Sequence, residues 1–252
     1  MILRQRRAAP VLLVAALALG ACHADRRPAL APPPFQIEPA RPVAVLLAEA
    51  RRASPPAQPP GLREPELVEL TALDPTIRLD IRYATSENFL GAPVYEQARA
   101  FLQRPAAEAL VRANRALSRR GYGILVYDGY RPWSVTWVFW EATPARLREF
   151  VADPAQGSRH NRGCAVDVGL VRLGDGSTVE MPSGYDEMTE RSHVDYGGGT
   201  AEQRGHRDLL RQAMEAEGFA AYPAEWWHYD YREWREYPIL DVPFAGIPRR
   251  PQ

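Results

Sequence analysis

The chain has 252 residues, 46% of them hydrophobic and 25% charged, with 31 arginines, no lysine and 31 acids. A formal net charge of zero leaves no electrostatic footprint for nucleic acid, and the composition excludes a wholly disordered or fibrous chain. Two cysteines, Cys22 and Cys164, cannot build a disulfide scaffold.

Arg4, Arg6 and Arg7 precede the apolar run Val11 to Gly20, which is too short to span a bilayer and has the pattern of a secretory signal over residues 1–21. The run closes on Leu19-Gly20-Ala21-Cys22, which resembles the lipobox of bacterial lipoproteins, where the cysteine is acylated and becomes the new N-terminus. The expectation is an exported protein, lipid-anchored to a membrane through Cys22 and facing the periplasm. His23 stands where an inner-membrane retention signal usually has Asp, which favours the outer membrane. Ten prolines between Pro28 and Pro60 favour extended polyproline II, so residues 22–60 read as the anchor cysteine and a semi-rigid tether. A short helix is predicted inside it over residues 43–53, and the folded domain is expected over residues 61–252.

Within the domain, Ile77, Leu79, Ile81 and Tyr83 alternate with charged residues and predict a half-buried strand. Pro105 opens a helical pattern carried by Leu110, Val111 and Leu117 and closed by Gly121. Residues 123–127 (GILVY) predict a buried strand that turns at Asp128-Gly129-Tyr130-Arg131-Pro132. Thr143-Pro144 predicts the start of a helix using Leu147, Phe150 and Val151. Val166, Val168 and Leu170 predict a strand leading to a hairpin turn at residues 174–177. Leu209, Leu210, Ala213 and Met214 mark a helix face ended by Gly218, and the aromatic run 226–231 predicts a last strand. Helices and strands mix without βαβ alternation. The expected class is α+β with a mostly antiparallel sheet.

Three segments carry candidate chemistry. In Ser158-Arg159-His160-Asn161-Arg162-Gly163-Cys164-Ala165-Val166-Asp167, an imidazole and a carboxylate can meet at one cation if Gly163 lets the chain turn back. In Glu225-Trp226-Trp227-His228, Pro223 favours a corner at Glu225 entering a strand at His228, which would bring both groups to one site. His228 would then be a third ligand and Glu225 an unligated general base, the arrangement of a catalytic zinc; a histidine buried in an aromatic core is the alternative. Arg131, at the end of the GILVY strand, could stabilise a developing oxyanion or merely pair with Asp128 in the turn.

Together with Arg82-Tyr83-Ala84-Thr85 and Asn88-Phe89, these segments resemble the zinc D-alanyl-D-alanine dipeptidases of the VanX type, relatives of D,D-carboxypeptidases and of the Hedgehog N-terminal domain fold. The resemblance covers essentially the whole domain. It implies a central, mostly antiparallel sheet with flanking helices and one Zn²⁺ per chain on His160, Asp167 and His228. It makes Glu225 the catalytic base and acid and Arg131 the transition-state stabiliser. Ser158 and Asp186 fall where the family handles the substrate's amino end, with Tyr83 and Asp128 in support. Residues 181–188 (MPSGYDEM) depart from the family's usual Gly and Phe, with Pro182 and Tyr185 instead. The implied reaction is hydrolysis of the small dipeptide D-alanyl-D-alanine by metal-activated water, within peptidoglycan metabolism, with no protein partner. Its rivals are a D,D-carboxypeptidase or endopeptidase of the same metal type and a non-catalytic cell-wall-binding lipoprotein. Cys164, between two small residues, is expected to be buried rather than ligating. His193 and His206 are expected to be solvated or structural, with His206 on an exposed helix face.

Overall fold

The computed structural model describes residues 34–248; the signal segment, Cys22 and His23 lie outside the described residues. In chain order the elements are α1 (Val43–Ala50), β1 (Leu67–Glu69), α2 (Leu70–Leu73), β2 (Arg78–Leu79), β3 (Phe101–Gln103) and α3 (Arg104–Ser118). They continue with β4 (Tyr122–Asp128), α4 (Trp133–Ala142), β5 (Ala165–Arg172), α5 (Ala201–Ala216), β6 (Phe219–Tyr222) and β7 (Glu225–Tyr231). Five strands form one sheet in the order β2-β4-β5-β7-β6, and β1 pairs separately with β3. Only β2 and β4 run parallel, so the sheet is mostly antiparallel and the class is α+β, as expected.

The middle strands are buried almost end to end, which is why β4 reads as a continuous apolar run rather than an alternating one. α3 starts with Pro105 in its first turn and buries Ala106, Leu110, Val111 and Leu117. It packs on β4 and against α5, which Thr200 and Gln203 start with a reciprocal capping box. Gly121 and Gly218 follow the two helices with φ of +83° and +90°, the left-handed turn their positions suggested.

Four segments differ from the sequence expectation. Ile77, Ile81 and Tyr83 are buried, but the ladder ends after Leu79 and residues 82–84 make a 3-10 turn that drops Tyr83 into the core. Thr143 does not start a helix; its hydroxyl donates to the Phe139 carbonyl at 2.7 Å and so closes α4, leaving only a 3-10 stretch over Ala145–Phe150. α4 itself (WSVTWVFWEA) was not anticipated, because its apolar residues cover nearly the whole circumference and leave no clear period. Finally, residues 35–60 are not a free spacer. Ile37 N donates to Phe89 O and Ala40 N to Ala142 O, and α1 rests on α4 with Leu46 fully buried.

Candidate active site

Strand register makes the first half of the site. Asp128 of β4 faces Asp167 of β5, which in turn faces His228 of β7. Three ionisable side chains from distant parts of the chain thus form one row across the sheet. His160 joins them from a 3-10 turn, His160–Arg162, that Gly163 reverses with φ of +65° into β5. A side chain at Gly163 would also strike Leu67, since its Cβ would lie 2.6 Å from Cδ2. The turn the sequence required is therefore present.

Glu225 and His228 lie three residues apart on β7, where ideal alternation would send them to opposite faces. Instead the register jumps: Ala221 faces Tyr229, while Tyr222 already faces Glu225. The bulge carries Glu225 round to the histidine, with Oε2 3.7 Å from Nδ1 of His228.

Three atoms converge. Nε2 of His160 is 3.1 Å from Nδ1 of His228 and 3.3 Å from Oδ1 of Asp167, and those two are 3.1 Å apart. A tetrahedral ion with ligands at about 2.0–2.1 Å holds them about 3.3 Å apart, so the triangle fits zinc. The outer contacts agree. Nδ1 of His160 must donate to the Gly129 carbonyl (2.7 Å), which frees Nε2 as the metal-facing lone pair. Nε2 of His228 donates to Oδ1 of Asp230 (2.9 Å), which frees Nδ1. The Tyr185 hydroxyl donates to Oδ2 of Asp167 (3.1 Å), leaving Oδ1 in the triangle. Each of the three side chains is oriented from behind, as a metal-binding group requires.

Gly129 serves this arrangement through close approach, because a Cβ there would sit 2.7 Å from the Phe101 carbonyl oxygen. Arg131 makes the pair with Asp128 that the turn allowed, and the pairing does not remove it from the cleft. Its Nε and Nη2 donate to Asp128 at 2.9 and 2.8 Å, yet the guanidinium also lines the cleft, stacked 4.7 Å over Phe139 and 3.8 Å from Asp167. Asp128 is fully committed, accepting also from Tyr95 and the Gly129 amide.

Burial pushes the Glu225 carboxyl up to about 7; the nearby His228 opposes this and Asp167 adds to it. A carboxyl in that range is suited to both taking and giving a proton near neutral pH. Burial alone would raise Asp167 too, but His160 and His228 outweigh it and hold this carboxyl well below the usual range. Asp186 is driven the other way, first by burial and then by the charge of Asp167. Its Oδ1 accepts from Tyr83 at 3.0 Å, while Oδ2 is buried without a partner and the residue adopts φ +60°. Asp186 and Ser158 both line the cleft; the Ser158 hydroxyl also accepts from the His160 amide.

Asp230, Tyr185 and the Gly129 carbonyl went unassigned in the sequence reading. Asp230 had a readable signal, two residues from His228 on the same strand face; a hydroxyl reaching Asp167 from a distant loop had none. Cys164 is buried and outside the donor cluster, as expected. His206 is buried rather than exposed, beside the Tyr122 hydroxyl and the Glu180 carbonyl, because α5 turns that face onto the sheet.

The profile of peptidase family M15, described as D-Ala-D-Ala dipeptidase, matches residues 63–243. A D-alanyl-D-alanine dipeptidase of Escherichia coli is 34% identical over 180 residues, 71% of this chain and 92% of that protein. Dipeptidases of the same name from Enterococcus faecium and Enterococcus faecalis are 38% and 39% identical, over 62% and 61% of this chain and 87% and 85% of theirs. A solved LD-carboxypeptidase structure aligns with TM-score 0.34 and 20% identity over 52% of this chain and 59% of that one, too partially to bear on the site. With its donor triangle and a family match over residues 63–243, the chain belongs to the M15 family of D-Ala-D-Ala dipeptidases and is a metallopeptidase.

Proposed function

We propose that the cleft hydrolyses free D-alanyl-D-alanine with one zinc ion per chain, held by His160, Asp167 and His228. The observation that carries the dipeptide reading is the unpartnered, buried Oδ2 of Asp186 in the cleft wall. A carboxylate there wants a cation, and the free ammonium of a dipeptide is one. An acylated or longer chain would bring an amide instead and leave the charge unpaired. The cavity volume of about 110 Å³ also argues for a small substrate, against the ~300–1,000 Å³ of sites for drug-sized ligands.

A bound zinc would supply Lewis acidity and a water ionisable near neutral pH. The protein's own groups do the rest. Glu225 takes the proton of the attacking water and delivers it to the leaving amine. Arg131, fixed by Asp128, points donors to where the carbonyl oxygen gains charge. Tyr83 steadies Asp186 against the substrate's amino end.

The test compares zinc-loaded protein acting on D-Ala-D-Ala and on a pentapeptide ending in the same two residues. Cleavage of the dipeptide with the pentapeptide nearly untouched is expected. Comparable cleavage of both would move the protein to the carboxypeptidase reading.

The same proposal has the enzyme exported and acylated on Cys22, supported by the Leu19-Gly20-Ala21-Cys22 sequence, with His23 favouring the outer membrane over the inner. No helix among the described residues is long and apolar enough to cross a membrane. Mass analysis of the mature N-terminus should find lipid on Cys22, and an unmodified terminus elsewhere would refute the anchor while leaving the enzyme untouched.

A further inference from the structure

A dipeptide carries two charges, and the site described so far answers only one. Among the described residues, two cations line the cleft: Arg131, committed to Asp128 beside the reacting centre, and Arg159. Arg159 immediately precedes the ligand His160 and, like Asp186, lines the cleft. Different contacts connect the two to the donor triangle. In one set, Asp167 leads to Tyr185 and Arg131, and Arg131 stacks on Tyr83, which holds Asp186. In the other, His228 leads to Asp230, whose Oδ2 is 3.4 Å from Nε of Arg159.

The Arg159 guanidinium is braced rather than consumed. It lies 4.9 Å over the Trp234 ring, which stiffens a long stem at its charged end. Neither terminal nitrogen, Nη1 or Nη2, makes a hydrogen bond among the described residues, so the planar fork that suits a carboxylate is free. Tyr222 also lines the cleft, edge-on to His228 at 5.5 Å, and its hydroxyl likewise makes no hydrogen bond among the described residues. Glu149, an acid on the same lining, is exposed, and solvent screens it.

Resting on the dipeptidase reading, we infer that Arg159 is the anchor for the substrate's C-terminal carboxylate. Asp186 and Arg159 then hold a zwitterion by its two ends, with the peptide bond over the metal ligands between them. Two residues extend at most about 7 Å, so the ends are set by the substrate's length. A chain extended at its carboxyl end would lose its charge at Arg159 just as one extended at its amino end loses it at Asp186. The site is thereby gated for length from both directions.

The discriminating experiment uses D-Ala-D-Ala and its C-terminal amide, with zinc-loaded wild type, Arg159→Gln and Arg159→Ala. The Gln variant keeps a stem over Trp234, so loss of charge is separated from loss of packing. With the free acid, both variants should raise KM about tenfold with kcat little changed, the mark of an interaction made equally in ground and transition states. With the amide, wild type should already show the raised KM, and neither variant should raise it further. Equal KM shifts for acid and amide, or no shift for the acid, would overturn the role of Arg159 alone. Failure of zinc-loaded wild type to cleave either compound would instead overturn the dipeptidase reading, and this inference with it.

Discussion

The Asp186 carboxylate has one oxygen on Tyr83, the other buried without a partner, and a backbone at φ +60°. The Tyr83 hydrogen bond and the nearby Arg131 do not outweigh burial and the charge of Asp167, so the residue weakens the fold it belongs to. Asn fits the left-handed conformation at least as well and carries no charge. Asp186→Asn should therefore stabilise the metal-free protein by roughly 1–3 kcal/mol at neutral pH while raising the dipeptide KM. The pH dependence has a definite sign. The unfolded chain releases this proton near pH 4, whereas the native state keeps it to higher pH, so the native state binds more protons in between and wild-type stability falls as pH rises. The advantage of the Asn variant should accordingly be larger at pH 8 than at pH 5 in thermal unfolding; an advantage that shrinks with pH would contradict the assignment. Tyr185 can be probed as cleanly, because Tyr185→Phe deletes one hydroxyl and keeps the ring stacked 4.4 Å from Tyr127. The Asp167 carboxylate would lose its outer donor, and zinc affinity in competition with a chelator should drop about tenfold. Unchanged affinity would mean that Arg131 alone orients that ligand.

Helix α1 tests where the cooperative fold begins. Val43, Leu46 and Ala50 belong to the hydrophobic core, and Leu46 has no exposed surface. Leu46→Ala should cost roughly 2–4 kcal/mol and lower the single unfolding transition, although the family match begins only at residue 63. A transition unmoved by the substitution would show that residues 43–50 are dispensable to the domain. The proline count alone pointed to a tether here because polyproline signals read the backbone and say nothing of what a short apolar helix can dock against. The same limit explains α4, whose aromatic faces gave no period, and Thr143, whose hydroxyl caps backwards rather than forwards. Strands fared better. β4, β5 and β7 were legible because each joins a strong apolar run to a turn residue, and those three strands carry Asp128, Asp167 and His228. What no local pattern contained was register: the row across the sheet and the jump that swings Glu225 to His228 are properties of paired strands. The residues that converge were therefore readable from motifs, whereas the groups that hold them from behind were not.

Taken as one molecule, the enzyme has a sheet whose middle strands carry two of the three side chains that could hold a metal ion. His160 and Asp167 border β5 and His228 sits on β7, so an ion bound by all three ties together segments up to 68 residues apart. Such an ion binds only the native arrangement, and its binding free energy adds directly to folding stability. At a free zinc concentration 1,000-fold above Kd the gain is about 4 kcal/mol, which for a domain of this size corresponds to a Tm shift of about 8–16 °C. Chelation should lower the unfolding temperature of wild type by that order and abolish hydrolysis, and added zinc should restore both. Two variants separate the contributions. His228→Ala removes a ligand, so its Tm should ignore chelator and its activity should be lost together with bound zinc. Glu225→Gln removes only the proton carrier: it should bind zinc stoichiometrically and keep the full chelator-dependent Tm shift, yet turn over about 10²–10⁴-fold more slowly. A Glu225→Gln protein that loses zinc would place that carboxylate among the ligands. A wild type stripped of metal and still fully active would remove the metal from the reaction altogether. The combination expected here, stability following His228 and turnover following Glu225, arises only if one group binds the ion and the other moves the proton.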